Sequence, residues 1–116
     1  MNDDVHFDDI RLLLEISNRV NGATISLTRC LIFALLSYFA DGIQYTELKT
    51  ALNISDGKLI SNLNRLREMQ YIEKSESKID RNEIDIYTLS EKGRTELDKI
   101  IDWMELIKKV GEEWKK

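Results

Sequence analysis

Proline is absent from this chain of 116 residues, and cysteine and histidine occur once each, as Cys30 and His6. One cysteine forms no internal disulfide, and one cysteine with one histidine cannot supply the usual soft-ligand metal cluster, so no metal or cofactor is expected. Long apolar runs are also missing: the longest, Cys30–Leu36, is far short of the ~20 residues that span a bilayer. The opening segment, MNDDVHFDD, is acidic and lacks the basic-then-apolar order of a secretory signal. A cytoplasmic protein without membrane association is the expectation. Glycine-rich phosphate loops and carboxylate clusters beside a base are lacking too, which argues against an enzyme.

What is present describes a folded protein: 42% hydrophobic and 33% charged residues, in a length that supports one domain over 1–116. The net charge of −4 is unevenly spread. Residues 1–21 carry five acids against Arg11 and Arg19, whereas residues 22–94 carry ten acids and ten bases. The middle of the chain is therefore neutral, which permits binding to a polyanion without favouring it strongly.

Periodicity orders the elements. Ile10, Leu13 and Leu14 lie on one stripe of a helix from Asp9 to Val20, with Asp8 or Asp9 as its cap and Asn21-Gly22 as its stop. Ser26 caps a second helix running to about Ala40, apolar on nearly every side and so expected to be buried on several. Cys30 lies within it as a packing residue, with a redox-sensing thiol as the other reading. Thr46 caps a short third helix ending near Leu52. Asn53 then suits a left-handed turn, Ile54 plugs it, and Ser55 caps a fourth helix from Asp56 to about Gln70. Leu59, Leu63 and Leu66 share one face of that helix; Lys58, Ser61, Asn64, Arg65 and Glu68 share the opposite one, with Asn62 on its flank.

Beyond Gln70 the period changes to two. Tyr71–Lys74 and Ile84–Leu89 read as strands around a polar tip, Ser75–Glu83. Either Tyr87 and Leu89 or Ile84 and Ile86 face the core. Ser90 caps a last helix in which Leu97, Ile100, Ile101, Met104, Ile107 and Trp114 recur at helical spacing. The fold class is mainly α with a small β-hairpin: two helices around a tight turn, a wing, and an extra helix at each end.

The segments ISDGKLISNLNRLREMQYIEK and YTLSEKGRTEL carry a more specific signal. Asp56, Gly57, Leu59, Leu63, Leu66, Tyr71 and Ile72 match a recognition-helix pattern; Tyr87, Leu89, Ser90, Gly93 and Arg94 match the hairpin end that follows it. In these motifs residues 27–100 resemble the MarR/ArsR-like winged helix-turn-helix regulators of compact archaeal and bacterial type. The family often has glycine where this chain has Gln70, which suggests a differently shaped helix end, and a small polar residue where this chain has Ile60.

The resemblance implies a homodimer that binds specific double-stranded DNA and regulates transcription. The reading module spans 27–96 with its wing at 71–89. The helix 56–70 would lie in the major groove and residues 74–83 near the backbone or minor groove. Ser61, Asn62 and Arg65 suit base edges, because Arg pairs with guanine and Asn with adenine. Lys58 suits a phosphate, as do Ser55 and the amides at the helix start. Lys74, Lys78 and Arg81 are the wing's cations, interspersed with Glu73, Glu76, Asp80 and Glu83, so a solvated tip is the other reading. The helices 9–20 and about 97–114 exceed what the module needs, and Ile10, Leu13, Leu14, Ile101, Met104, Ile107 and Trp114 suit a dimer interface. Pairing of those helices within one chain is the other reading. No residue constellation identifies a small-molecule effector. The alternative function is a winged helix serving as a protein-interaction module in transcription or replication machinery.

Overall fold

The computed structural model describes residues 3–114, and side chains from 8 to 112. The order is α1 (Asp3–Arg19), a 3-10 turn (Gly22–Thr24), α2 (Leu27–Tyr38), β1 (Ile43–Gln44), α3 (Tyr45–Leu52), α4 (Asp56–Glu68), β2 (Ile72–Ile79), β3 (Asn82–Leu89) and α5 (Glu91–Trp114). This is the mainly helical winged-helix fold that the periodicity implied.

Local chemistry starts and stops most elements. Ser26 caps α2 by accepting from the Arg29 N–H, and Ser55 caps α4 by accepting from that of Lys58. Asn53 takes the left-handed conformation, at φ 52° and ψ 52°, and ends α3. Ser90 accepts from the Gly93 N–H and starts α5.

Other boundaries differ from the sequence reading. Helix α1 begins at Asp3, so Asp8 and Asp9 do not cap it; Asp9 instead faces α5, where Lys109 Nζ meets its carboxylate at 3.2 Å. Helix α3 starts one residue before Thr46, capped at Gln44, whose N–H donates to Glu47 Oε1. The hairpin is longer than its polar composition suggested. Its strands reach Ile79 and Asn82, leaving only Asp80 and Arg81 at the tip, both at positive φ as a two-residue primed turn requires. Gln70 likewise takes φ 65° and ends α4 in the left-handed form without glycine.

The sheet has the order β1-β3-β2, all antiparallel. Its short first strand sits beside β3 with Ile43 opposite Tyr87. Of the two candidate faces of β3, the Tyr87 and Leu89 face meets the core. That core joins Ile32, Phe33 and Leu36 of α2, Leu48 of α3, Leu59, Leu63 and Leu66 of α4, Tyr71 and Ile72 at the wing root, and Ile100 of α5. Helix α2 packs against β3, α3 and α5, as its apolar composition implied, and leaves one stripe exposed, from Leu27 at 77% through Leu31 to Tyr38 at 82%.

A radius of gyration of 17.6 Å exceeds the ~13 Å expected of a compact chain this long, and the molecule extends 67 × 24 × 23 Å. The elongation arises where α1 and α5 pack together as an arm. Trp103 Nε1 donates to Ser17 Oγ at 2.8 Å, and Leu106, absent from the stripe read in the sequence, is buried there. The in-chain pairing of the two helices is thus real.

A buried polar seam joins arm to module. Glu96, 3% exposed, accepts from the Asn21 N–H at 3.1 Å and from the Tyr71 hydroxyl at 3.3 Å. Asn21 Nδ2 in turn donates to Tyr71 Oη. Burial raises the Tyr71 pKa, with the Asn21 bond opposing that shift.

Candidate nucleic-acid interface

Helix α4 has two chemically opposed faces. Leu59, Leu63 and Leu66 are sealed in the core, which fixes the rotation of the helix, and Lys58, Ile60, Ser61, Asn64, Arg65 and Glu68 are consequently turned to solvent. Ser55 stands at the start of this face with its hydroxyl engaged as the cap.

Asn62 differs from its neighbours. It is half-buried, its Oδ1 accepts from Arg29 Nε at 2.8 Å, and its Nδ2 donates to the Lys58 carbonyl at 2.8 Å. In this arrangement both ends of the amide are engaged by the protein, whereas a bidentate adenine contact needs both free. The residue it holds, Arg29, also donates to the Ala23 carbonyl and lines a surface cleft of about 580 Å³ together with Lys58 and the N-terminal end of α2. No local sequence signal links Arg29 to Asn62, which lie 33 positions apart.

Arg65 meets Glu68 through one nitrogen, Nη1, at 3.4 Å. On the wing, Lys74 Nζ lies 3.5 Å from Asp85. Lys78 and Arg81 are exposed near and at the tip. Arg67 projects from another side of α4 and lines a groove with Lys74 and Lys92, a cation that sequence reading passed over.

The angle between α3 and α4 is braced at the turn. Tyr45 donates to Asp56 Oδ1 at 2.7 Å, and Lys49 Nζ meets Oδ2 at 3.0 Å. The Tyr45 bond, then that of Lys49, holds the Asp56 pKa below its ordinary value; the same hydrogen bond pushes Tyr45 up to about 12. Among the described residues no group of three or more His, Cys, Asp or Glu is placed to hold a metal ion, and no helix is long and apolar enough to cross a membrane.

Comparison with known proteins bears on this geometry. A family model described as a winged helix DNA-binding domain matches residues 28–107. Among solved structures, a zinc-responsive MarR family member of Lactococcus lactis, ZitR, is 19% identical with a TM-score of 0.58, over 81% of this chain and 63% of its own. This chain therefore spans less than two thirds of that protein. YusO of Bacillus subtilis is 16% identical with a TM-score of 0.65, over 92% of this chain and 80% of its own. BpsR of Bordetella bronchiseptica, whose DNA binding is regulated by 6-hydroxynicotinic acid, is 12% identical with a TM-score of 0.60, over 93% and 82%. No curated protein sequence matches. At such identities the structural likeness establishes the fold, and the family model adds to it: the chain belongs to the winged helix DNA-binding domain family.

Proposed function

We propose that this protein is a transcription regulator that binds specific double-stranded DNA as a homodimer. The observation that carries the reading is α4: a helix anchored by three buried leucines that turns Lys58, Ser61 and Arg65 to solvent on its other side. A major groove admits one such helix and offers acceptors to Arg and a methyl group to an apolar side chain. Arg65 and Ser61 read base edges, Ile60 meets a thymine methyl, and Lys58 with the α4 start at Ser55 meets phosphate. Asn62 acts by holding Arg29 beside Lys58 rather than by reading adenine. Lys74, Lys78 and Arg81 approach the backbone or minor groove from the wing.

The dimer rests on the arm. After α1 and α5 have packed together, Ile10, Leu14, Ile101, Met104 and Ile107 remain exposed, Leu14 by 60%. Leu13 is half-buried, and the Trp114 side chain lies outside the described residues. A second copy covering these residues would double the number of cations offered to DNA, which a chain with few free bases needs.

Selection of bound duplexes from a random pool tests the reading, and a palindromic consensus is the expected result. Arg65→Ala with Lys58→Ala should abolish retention of that consensus at physiological salt; unchanged retention rejects the assignment. Sedimentation of the wild type as a monomer at micromolar concentration rejects the dimer. A second reading, a protein-interaction module, draws on the exposed Leu27 and Tyr38 of α2, and substitution of those residues should leave DNA retention intact.

A further inference from the structure

Apart from Arg29, which neutral groups hold, the cations assigned to the DNA-facing surface fall into two groups. Among the described residues Lys58, Lys78 and Arg81 have no ion pair, whereas Arg65 is held by Glu68 and Lys74 by Asp85. Local stability accounts only weakly for Glu68, and for Asp85 only through its cross-strand pair with Lys74. Glu68 is the last residue of α4, where a carboxylate meets the negative end of the helix dipole. Its side chain is 68% exposed, and exposed ion pairs contribute little to folding. Asp85 lies within β3, in a class of position that aspartate disfavours.

We propose that Glu68 and Asp85 are specificity-determining carboxylates, which hold Arg65 and Lys74 back from indiscriminate phosphate binding. The inference rests on the DNA-binding reading above. For Arg65 to take a phosphate, it must give up one anion for another and leave Glu68 bare beside the DNA backbone. The gain from counterion release is then largely cancelled. A guanine edge is different, because its O6 and N7 acceptors carry no net charge. Glu68 touches only Nη1, so Nε and Nη2 remain available to that edge while the ion pair stays formed. The carboxylate thereby penalises the backbone and orients the guanidinium towards the base.

The test measures binding of wild type, Glu68→Gln, Asp85→Asn and Glu68→Gln combined with Arg65→Ala to two labelled duplexes, the selected consensus and its scramble, across a salt series. Glu68→Gln should bind the scramble about threefold tighter at ~0.15 M salt and steepen the slope of log affinity against log salt by ~0.9. Its preference for the consensus should fall. Asp85→Asn should change in the same direction by less, since Lys74 is the less exposed cation. The gain should vanish when Arg65 is absent, and thermal melting of Glu68→Gln should match or exceed wild type, which excludes a folding defect as its cause. Wild-type binding with an unchanged slope and unchanged scramble affinity in Glu68→Gln overturns the proposal and leaves the DNA reading standing. Failure of every form to bind either duplex at low salt overturns both.

Discussion

In the winged module Ile32, Phe33, Leu36, Leu48, Leu59 and Leu66 lose all contact with solvent, whereas along the arm Ile101, Met104 and Ile107 keep two-fifths or more of their surface exposed. Both regions have the same helical spacing of apolar residues. The difference is in partners: the module's stripes converge from three helices and a sheet, while α1 and α5 have only each other along most of their length. An apolar stripe therefore does not by itself say how far its own chain will bury it.

Substitutions can break or sharpen that contrast. The largest effect is expected from Leu63→Ala in the module, a loss of about 2–5 kcal/mol in chemical denaturation through the cavity it leaves. Next is the seam between the regions. Glu96→Ala strands the Asn21 N–H and the Tyr71 hydroxyl and should cost about 1–3 kcal/mol, with faster exchange of the Asn21 amide. Gln70→Gly should stabilise by up to ~1 kcal/mol, because glycine occupies φ 65° without steric penalty, and a higher melting temperature would register it.

On the arm, Ile101→Asp should change the stability of the isolated chain by no more than ~0.5 kcal/mol and yet abolish the proposed self-association in sedimentation. A loss matching that of Leu63→Ala would make the arm part of the monomer core and erase the contrast. The smallest effect lies at the brace. Asp56 has a lowered pKa in the folded state, so its contribution is present above the ordinary value of ~3.9 and lost as pH falls through the lowered one. The Tyr45 contribution is present below pH ~10 and lost as pH rises through about 12. Tyr45→Phe should move the Asp56 titration upward, as read by carboxyl carbon shifts.

Features set by neighbouring residues were legible in the sequence. The Asn53 turn, the caps at Ser26, Ser55 and Ser90, and the Leu59-Leu63-Leu66 face each depend on side chains within a few positions. Features set across the chain were not. Strand β1 is two residues long and exists through pairing with β3. Asn62 looked free because Arg29 reaches it from 33 residues away, and Asp9 looked like a cap because Lys109 is 100 residues away. Exposed apolar residues on α2 looked buried, since composition reports hydrophobicity but not what lies opposite. The polar tip hid two longer strands because its turn, Asp80-Arg81, uses positive φ without glycine or asparagine to announce it.

Gly93 is seated so tightly at the start of α5 that a β-carbon there would overlap the Tyr71 carbonyl oxygen and a Leu89 methyl. The joint between the last helix and the wing root is thus closely packed, and α5, 24 residues and ~36 Å long, extends from it. A tilt of about 5° at that joint displaces the far end by ~3 Å over that length. In the proposed dimer, the geometry of Gly93 would set how finely the distance between the two α4 helices is held.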